Sequence, residues 1–402
     1  MRYDFTTLPE REGHDAIAVD LPAKGLGNFN VKRKEGFDVI PMWVADMNFN
    51  CPDCITDAVK DRLNYKTFGY FQPREEYYNA IINWQKEHNG IEGLKPENIG
   101  YENGVLGGVI SAMNIFCSKG DKVLVHSPTY VGFTHVLHNN GYDIVHSPLV
   151  KDENGVWRMD FADMEEKLAT QKIHTAIMCN PHNPCGRVLE KEELEQAMAL
   201  FEKYHVYVIS DEIWSDLLMN GAKHIPTQTV SEYAKYHTAA FYAPSKTFNL
   251  AGLIGSYHII YDPWIKDRID KEASLTHYNA MNVLSMYALI GAFSKDGNEW
   301  LKELKEVLSD NVNYACEFIE KDLEGVSVFK PQGTYMLFIN CREYCEKTGT
   351  DMETLYKRGL EYGVCWQSGK DFCDDWSLRL NLALPLSRVA EAFRRMKEYI
   401  FI

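Results

Sequence analysis

Short runs of apolar residues alternate with longer amphipathic stretches through the middle of the chain. Apolar runs of about five residues bounded by turn residues predict buried strands, and apolar residues at helical spacing predict helices. The predicted strands are 122–126, 143–145, 175–179, 206–210, 238–242 and 255–260. The predicted helices of this region are 53–64, 74–88, 104–117, 131–139 and 190–204. Such alternation is typical of a mostly parallel sheet covered by helices on both faces.

The pattern changes after about residue 296. A long helix at 298–322 precedes predicted strands at 326–329, 335–340 and 377–382 and predicted helices at 351–361 and 386–399. The first 50 residues read as irregular, with several glycines around a basic patch. We therefore predict an α/β protein with a large domain at 51–295. A smaller α+β domain is predicted from 1–50 together with 296–402.

Composition and charge exclude several classes of function. The chain has 402 residues, of which 45% are hydrophobic and 25% charged, as in ordinary globular proteins. A net charge of −15 without a basic stripe argues against binding to nucleic acid or to an anionic membrane surface. The sequence shows neither an apolar signal core at its start nor an apolar run of membrane-spanning length. We expect a cytoplasmic protein.

The ten cysteines do not predict a metal site. Cys51 and Cys54, and likewise Cys341 and Cys345, have spacings found among metal ligands. No second cysteine pair or pair of histidines completes either set, as zinc sites usually require. We expect free thiols in a reducing compartment and no bound metal.

Polar residues follow four of the predicted strands at the point where each strand ends. Tyr130 follows the first strand, Asn183 the third, Asp211 the fourth, and Ser245 and Lys246 the fifth. Taken singly, these residues have ordinary explanations as turns, a helix cap, core packing or a surface lysine. Because ligands of such sheets bind at the carboxyl ends of the strands, we expect them to lie together.

Together these residues match the needs of pyridoxal 5'-phosphate. An aromatic ring such as Tyr130 stacks on the pyridine, and an amide such as Asn183 donates to the phenolic oxygen. A carboxylate such as Asp211 keeps the ring nitrogen protonated. A lysine such as Lys246 binds the aldehyde and, once displaced by substrate, becomes a nearby base.

Two further features fit a phosphate and a carboxylate. Residues 103–108 place glycines at the start of a predicted helix, where backbone N–H groups and the helix dipole favour an anion. Arg379 lies inside an apolar strand, where a bidentate carboxylate is its natural partner. A salt bridge from Arg379 to a carboxylate of the protein itself is the alternative.

These motifs resemble a known superfamily along essentially the whole chain. The motifs are Asn-Pro-His-Asn-Pro-Cys-Gly at 180–186, Ser-Asp-Glu-Ile-Trp at 210–214 and Ser-Lys at 245–246. Their order and spacing resemble the fold-type I pyridoxal phosphate enzymes of the class I/II aminotransferase superfamily, which implies a mostly parallel, seven-stranded sheet in the large domain. Residues 42–47, 68–70, 127–130 and 245–249 are similar to the MalY/PatB group of cystathionine β-lyase-like carbon–sulfur lyases.

The resemblance implies a role for each matching residue. Lys246 would bind the cofactor aldehyde and act in catalysis with Tyr130 and Tyr70, and Arg379 with Ala45 would bind the substrate. The residues implied to bind the cofactor are Tyr70, Gly104, Val105, Leu106, Tyr130, Asn183, Asp211, Trp214, Ser245 and Lys246. Tyr70 would reach the phosphate of a neighbouring subunit, which implies a homodimer with its active site at the subunit interface.

Two departures from the general aminotransferase pattern favour a lyase. Many aminotransferases carry a phosphate-binding arginine eight residues after the lysine, where this chain has Ile254. They often have a tyrosine three residues after the aspartate, where this chain has Trp214. An indole N–H donates a hydrogen bond but does not ionise. Both departures resemble features of the lyase group.

The main hypothesis is therefore α,β-elimination on a sulfur-containing L-amino acid such as cystathionine or cystine, which yields a thiol, pyruvate and ammonia. An aminotransferase of class I/II is the alternative, since both reactions share the same carbanion. A pyridoxal-phosphate-binding regulatory protein is a third hypothesis. The sequence offers no basic helix-turn-helix region for DNA, and regulation through protein contacts stays open.

Overall fold

The computed structural model describes residues 1–275 and 279–402. The strands in this part of the chain are β1 Ile40–Pro41, β2 Ile99–Asn103, β3 Lys122–Ser127, β4 Asp143–Lys151, β5 Trp157–Met159, β6 Thr175–Cys179, β7 Tyr207–Asp211, β8 Thr238–Tyr242, β9 Gly255–Ile259, β10 Ser327–Val328, β11 Met336–Asn340, β12 Val364–Cys365, β13 Gln367–Ser368 and β14 Ser377–Asn381. The α-helices are α1 Ile17–Lys24, α2 Asp53–Asn64, α3 Glu75–Asn89, α4 Val105–Phe116, α5 Val131–Asn139, α6 Phe161–Thr170, α7 Lys191–Lys203, α8 Glu232–His237, α9 Pro244–Thr247, α10 Pro263–Leu275, α11 Val283–Ala292, α12 Lys295–Asp322, α13 Arg342–Thr348, α14 Met352–Glu361 and α15 Leu386–Arg395.

The large sheet of the described residues has eight strands in the order β2-β9-β8-β7-β6-β3-β4-β5. Strands β8, β7, β6, β3 and β4 are parallel to one another, whereas β9, β2 and β5 pair antiparallel. The α/β fold with a mostly parallel sheet is thus confirmed. The implied count of seven strands is one short, and the hydrophobic pattern missed both β2 and β5. Strand β5 has only three residues, too few for a clear pattern. Strand β2 contains a charged residue, Glu102, which is buried and accepts a hydrogen bond from His258 of β9.

Alternate residues of the central strands enter two separate clusters, which shows that helices cover both faces of the sheet. Ala176 and Met178 of β6 pack with residues of α6 and α7 in one cluster. Ile177 and Cys179 of the same strand pack with residues of α4, α5 and α10 in the other. Because successive side chains of a strand point to opposite faces, a strand covered on both faces is apolar throughout. This explains the continuous apolar runs in the sequence.

A second, antiparallel sheet lies in the C-terminal part of the chain, in the order β10-β11-β14-β13. Its buried residues pack against α12 and α15 in a cluster that also contains Ile40 of β1. β1 pairs with β12, which brings the N-terminal segment to this part of the protein. The predicted domain limits stay a prediction. The first 50 residues are not wholly irregular as predicted, since they contain α1, whose internal Pro22 and lack of a side-chain N-cap obscured the helical pattern.

The strand directions bring five chain segments to one edge of the large sheet. Neighbouring parallel strands β3, β6, β7 and β8 all end at this edge. β2 ends there as well, because it is antiparallel to β9 and β9 is antiparallel to β8. The segments that follow these strands are therefore neighbours in space, as the sequence predicted. No helix of residues 1–275 and 279–402 has the length and apolar character needed to cross a membrane.

Candidate active site

A cavity of about 270 Å³ lies at the shared edge of the strands. Ten of the predicted site residues line it: Ala45, Gly104, Val105, Leu106, Tyr130, Asn183, Asp211, Trp214, Ser245 and Lys246. Arg379 adjoins this set through Asn183, since its Nη1 donates to Oδ1 of Asn183 at 3.0 Å. The fold thus brings together residues that are far apart in the sequence.

Lys246 projects from the short helix α9, whose first residue is Pro244. Its Nζ donates to the carbonyl oxygen of Ala45 at 3.1 Å and lies 5.8 Å from the ring centre of Trp214. Burial and, to a lesser extent, the Arg379 guanidinium lower the pKa of this amine to about 8, against the opposing effects of Asp46 and Asp211. A substantial fraction of Lys246 is therefore neutral near pH 8, as a nucleophile or base requires.

Asp211 is the last residue of β7, and its carboxyl group is buried. Burial raises its pKa to about 7, although the backbone N–H of Ile213, which donates to Oδ1 at 3.1 Å, and the nearby Lys246 act in the opposite direction. Within the described residues, Asp211 forms no ion pair. A buried acid of this kind is ready to pair with a cationic nitrogen that enters the cavity.

The neighbouring carboxylate, Glu212, is fully engaged. Its oxygens accept hydrogen bonds from Nε2 of His224 at 2.7 Å, the Tyr242 hydroxyl at 2.6 Å, the Thr227 N–H at 3.0 Å and the Ser210 hydroxyl at 2.9 Å. Burial alone would raise the pKa of Glu212, but His224 and these donors bring it below the usual value. This network anchors the chain next to Asp211 and leaves Asp211 to face the cavity.

The Tyr130 ring forms one wall of the cavity, and a glycine makes room for it. A Cβ atom on Gly132 would lie 2.7 Å from Cζ of Tyr130 and 2.9 Å from Cδ1 of Leu106. Only a hydrogen atom at position 132 lets the ring fold back over the start of α5. Burial also raises the pKa of the Tyr130 hydroxyl.

The start of helix α4 forms another wall. Gly104 has a positive φ of 76°, and its N–H donates to the carbonyl oxygens of Ile254 at 2.8 Å and Glu102 at 3.0 Å. The first N–H groups of a helix have no acceptor within the helix, so those of Val105 and Leu106 are available to an anion. Ile254 itself has φ of 60°, a costly conformation for a β-branched residue.

Arg379 lies in β14 with its side chain buried. Its Nη2 donates to the backbone oxygen of Trp43 at 3.1 Å and to Oε1 of Gln367 at 2.6 Å, and its guanidinium lies 4.5 Å from the ring centre of Phe372. Burial lowers its pKa to about 10. No carboxylate of the described residues forms an ion pair with it, so the alternative of a salt bridge within the protein finds no support there.

Sequence reasoning missed the residues that hold the segment around Ala45. Asn249 accepts from the N–H of Met47 at 2.9 Å and donates to its carbonyl oxygen at 3.0 Å. Asn381 donates to the carbonyl oxygens of Val44 at 2.9 Å and Asp46 at 2.7 Å. These contacts fix the carbonyl group that meets Lys246. Asn249 lies inside a quoted motif, but contacts across 200 residues leave no local signal.

Tyr70 is the predicted site residue that this chain does not bring to its own cavity. It lies in the loop between α2 and α3, and its side chain is fully exposed. Phe68 and Tyr65 of the same loop are exposed as well. The resemblance assigned Tyr70 to the phosphate of a neighbouring subunit, and this role stays a prediction, because Tyr70 does not line the cavity of its own chain.

The described residues contain no group of three or more histidine, cysteine or acidic side chains arranged to hold a metal ion. All ten cysteines, each of which lies in the described residues, are free thiols.

Comparisons with known proteins find similar sequences and similar structures. The sequence model of the family "Aminotransferase class I and II" matches residues 38–396. Cystathionine beta-lyase PatB of Bacillus subtilis is 34% identical, over 90% of this chain and 92% of that protein. The solved structure of a PLP-bound putative aminotransferase from Clostridium difficile is 32% identical, with a TM-score of 0.89 over 98% of this chain and 99% of that one. A PLP-bound C-S lyase from Staphylococcus hominis is 30% identical, with a TM-score of 0.88 over 98% of each chain.

The residues present fit pyridoxal phosphate on chemical grounds. The cavity offers an amine with a lowered pKa for an aldehyde, a buried unpaired acid for a ring nitrogen and a helix start for a phosphate. The aromatic ring of Tyr130 supplies a stacking surface. The aldehyde, the ring and its nitrogen, and the phosphate of the cofactor therefore each have a suitable partner among the residues that line this cavity.

We expect Lys246→Met to stabilise the cofactor-free protein at neutral pH. The folded-state pKa of about 8 lies below the 10.5 of an ordinary lysine, so charging this amine in the folded state costs on the order of 3 kcal/mol. The variant's advantage should be largest at pH 7. It should shrink between about pH 8 and about pH 10.5, where the folded chain releases its proton before the unfolded chain does.

Denaturant unfolding of both cofactor-free proteins at pH 7 and at pH 10 measures this difference. Lys321→Met, at an exposed lysine, is the control, and it should show no such dependence on pH. An advantage of Lys246→Met that is equal at both pH values would contradict the lowered pKa.

We expect Gly132→Ala to weaken binding of pyridoxal phosphate by about tenfold, because overpacking typically costs about 1–3 kcal/mol and here displaces the Tyr130 ring. Gly252→Ala is the matched control, since a Cβ atom on Gly252 meets nothing within 4 Å. Fluorescence titration of the cofactor-free proteins gives both dissociation constants. Equal constants for Gly132→Ala and wild type would show that the ring position does not affect binding.

Proposed function

The chain belongs to the aminotransferase class I and II family, and from this we propose that it is a pyridoxal-phosphate-dependent carbon–sulfur β-lyase. It cleaves L-amino acids of the cystathionine or cystine type with water to a thiol, pyruvate and ammonia. The observation that carries the proposal is a base and an unpaired cation at one site: the Lys246 amine and the Arg379 guanidinium. An amino acid needs both, one for its Cα proton and one for its carboxylate.

The residues that bind the substrate and move its proton each have a definite task in this reaction. Arg379, supported by Asn183 and with the backbone of Ala45 beside it, binds the substrate carboxylate and orients the Cα–H bond. Lys246 holds the cofactor in the resting enzyme and, once released, removes the Cα proton. Bound pyridoxal phosphate supplies an electron-withdrawing ring that stabilises negative charge at Cα. With Cα deprotonated, the bond between Cβ and sulfur breaks and the thiolate leaves.

The remaining residues bind the cofactor. Asp211 holds the proton at the ring nitrogen, and that cation in turn favours the ionised form of Asp211. Tyr130 packs on the ring and assists catalysis, and Trp214, which also lines the cavity, contacts the cofactor. The N–H groups of Val105 and Leu106 after Gly104, together with Ser245, bind the phosphate. All these groups lie on elements fixed by the large sheet.

The choice of elimination over amino transfer has two supports. Relatives named cystathionine beta-lyase and C-S lyase are similar to this chain over nearly its whole length. Ile254 stands where many aminotransferases have an arginine. An aminotransferase is the second candidate, because the Clostridium difficile structure of similar fold carries that description.

We further infer that the enzyme is a homodimer in the cytoplasm. The exposed aromatic residues Tyr65, Phe68 and Tyr70 form a surface that a second copy of the chain would cover. Tyr70 then reaches the phosphate in the partner's cavity and completes the partner's active site. Ten free cysteines suit a reducing compartment.

Cystathionine decides between the two candidate reactions. The purified holoenzyme should form pyruvate and homocysteine in equal amounts with no keto acid added, and Lys246→Ala should abolish this turnover. Pyruvate is measured with a coupled dehydrogenase and the thiol with a chromogenic reagent. Turnover that requires an added keto acid, with no thiol released, would reject the lyase in favour of the aminotransferase.

Mixing two inactive variants tests the proposed dimer. Tyr70→Ala and Lys246→Ala each damage every active site of their own homodimers. If Tyr70 serves the partner's cavity, a hybrid dimer keeps one intact site, and random reassociation restores about a quarter of the wild-type activity. If Tyr70 acts within its own chain or not at all, mixing after mild denaturation and refolding restores none beyond the sum of the separate variants.

A further inference from the structure

Tyr335 is a buried tyrosine that has no role in the reaction as proposed. Its side chain is 0% exposed, and its hydroxyl has no hydrogen-bond partner among the described residues. Buried hydroxyl groups are normally paired, and leaving one unpaired costs about 1–3 kcal/mol. An unpaired hydroxyl therefore suggests that its partner is a ligand.

The ring of Tyr335 lies beside the cavity. It packs edge-on against Trp214, with ring centres 4.8 Å apart, and the ring of Trp214 lies 5.8 Å from Nζ of Lys246. The backbone oxygen of Tyr335 accepts a hydrogen bond at 2.8 Å from Leu382, three residues after Arg379. Tyr335 thus sits between the wall formed by Trp214 and the strand that carries Arg379.

The backbone before Tyr335 is strained to place it there. Thr334 is buried and has a positive φ of 68°, which is costly for a β-branched residue. Two hydrogen bonds hold this turn: the N–H of Thr334 donates to the carbonyl oxygen of Leu217 at 2.8 Å, and its hydroxyl accepts from the N–H of Met336 at 3.0 Å. Strained residues of this kind cluster at functional sites.

Charged groups near the Tyr335 hydroxyl belong to the same site. Burial raises the pKa of this hydroxyl, Asp46 raises it further, and Arg379 and Arg11 act to lower it. Tyr335 acts in turn on the pKa of Arg379. Arg379 also has a buried donor without a partner, since its Nε forms no hydrogen bond within the described residues. Two unpaired donors near each other call for a negatively charged acceptor.

We propose that the Tyr335 hydroxyl donates a hydrogen bond to the carboxylate of the amino acid that binds to Arg379. Tyr335 is then a second carboxylate-binding residue, placed directly before β11, the strand that pairs with the strand of Arg379. This inference rests on the proposed function only in so far as the site takes an L-amino acid, and it holds for a lyase and an aminotransferase alike.

Tyr335→Phe tests the proposal because it removes only the hydroxyl. The matched control is Tyr77→Phe, since the hydroxyl of Tyr77 is also buried and unpaired in the described residues but lies in a different cluster, away from the cavity. The ligand is L-alanine, which has a carboxylate and no leaving group. Its dissociation constant is read from the change in the visible spectrum of the holoenzyme, and Tm is measured without ligand.

Loss of a hydrogen bond to a charged group should weaken L-alanine binding to Tyr335→Phe by about tenfold or more. Tm should be unchanged or higher, because the variant no longer buries an unpaired hydroxyl. Tyr77→Phe should likewise have an unchanged or higher Tm, and it should keep its dissociation constant. A fall of Tm in Tyr335→Phe alone would show that the hydroxyl has a structural partner and would overturn the proposal.

L-Alaninamide identifies the group that the hydroxyl recognises. It lacks the negative charge, so Tyr335→Phe and wild type should bind it with similar dissociation constants. An equal loss for L-alanine and L-alaninamide, or no loss for either, would overturn the proposal. These measurements need no turnover, so a failure of cystathionine cleavage and a failure of the role of Tyr335 remain distinguishable.

Discussion

The burial of charge around one cavity is the constraint on which the rest of this structure depends. Asp211 and Arg379 are buried and Lys246 is partly buried, each without an ion-pair partner in the described residues, and burial is the largest influence on the pKa of each. Removing such groups from water is costly unless other charges compensate. The large apolar clusters on both faces of the sheet must offset this cost. A cofactor with an aldehyde and a cationic nitrogen, together with a substrate carboxylate, would pair all three.

The fold keeps these groups apart until a ligand arrives. Asp211 ends β7 and Lys246 follows the adjacent parallel strand β8, yet they do not form a salt bridge with each other. Lys246 instead donates to the Ala45 carbonyl group, which Asn249 and Asn381 hold in place through the flanking residues. Glu212, not Asp211, is the partner of the buried donors His224 and Tyr242. Because these charged groups do not form ion pairs with one another, they stay available to a ligand.

The sequence predicted the parts of this site that depend on strand order and residue chemistry. Lys246, Asp211, Asn183 and Tyr130 could be found because parallel strands end at one edge, so a polar residue after an apolar run has a known location. Gln367, Asn381 and Tyr335 could not be found, since their contacts depend on how the C-terminal sheet meets the segment around Ala45. Strands β2 and β5 were missed because neither forms a continuous run of apolar residues in the sequence. For Tyr70, the resemblance implied a contact with a neighbouring subunit, and the fold adds that the residue does not line the cavity of its own chain.

The exposed position of Tyr70 and the presence of isoleucine at position 254 both concern how the cofactor phosphate is bound. With Ile254 in place of a guanidinium, the phosphate end of the cavity relies on helix N–H groups and Ser245, and a helix start carries only about half a unit of positive charge. A phosphate carries nearly two negative charges, so a further donor would contribute strongly. In the proposed dimer that donor is Tyr70 of the second subunit. Retention of the cofactor then depends on dimerisation, and each equilibrium strengthens the other by linkage. With isoleucine instead of arginine at position 254, the activity of the enzyme would therefore depend on formation of the dimer.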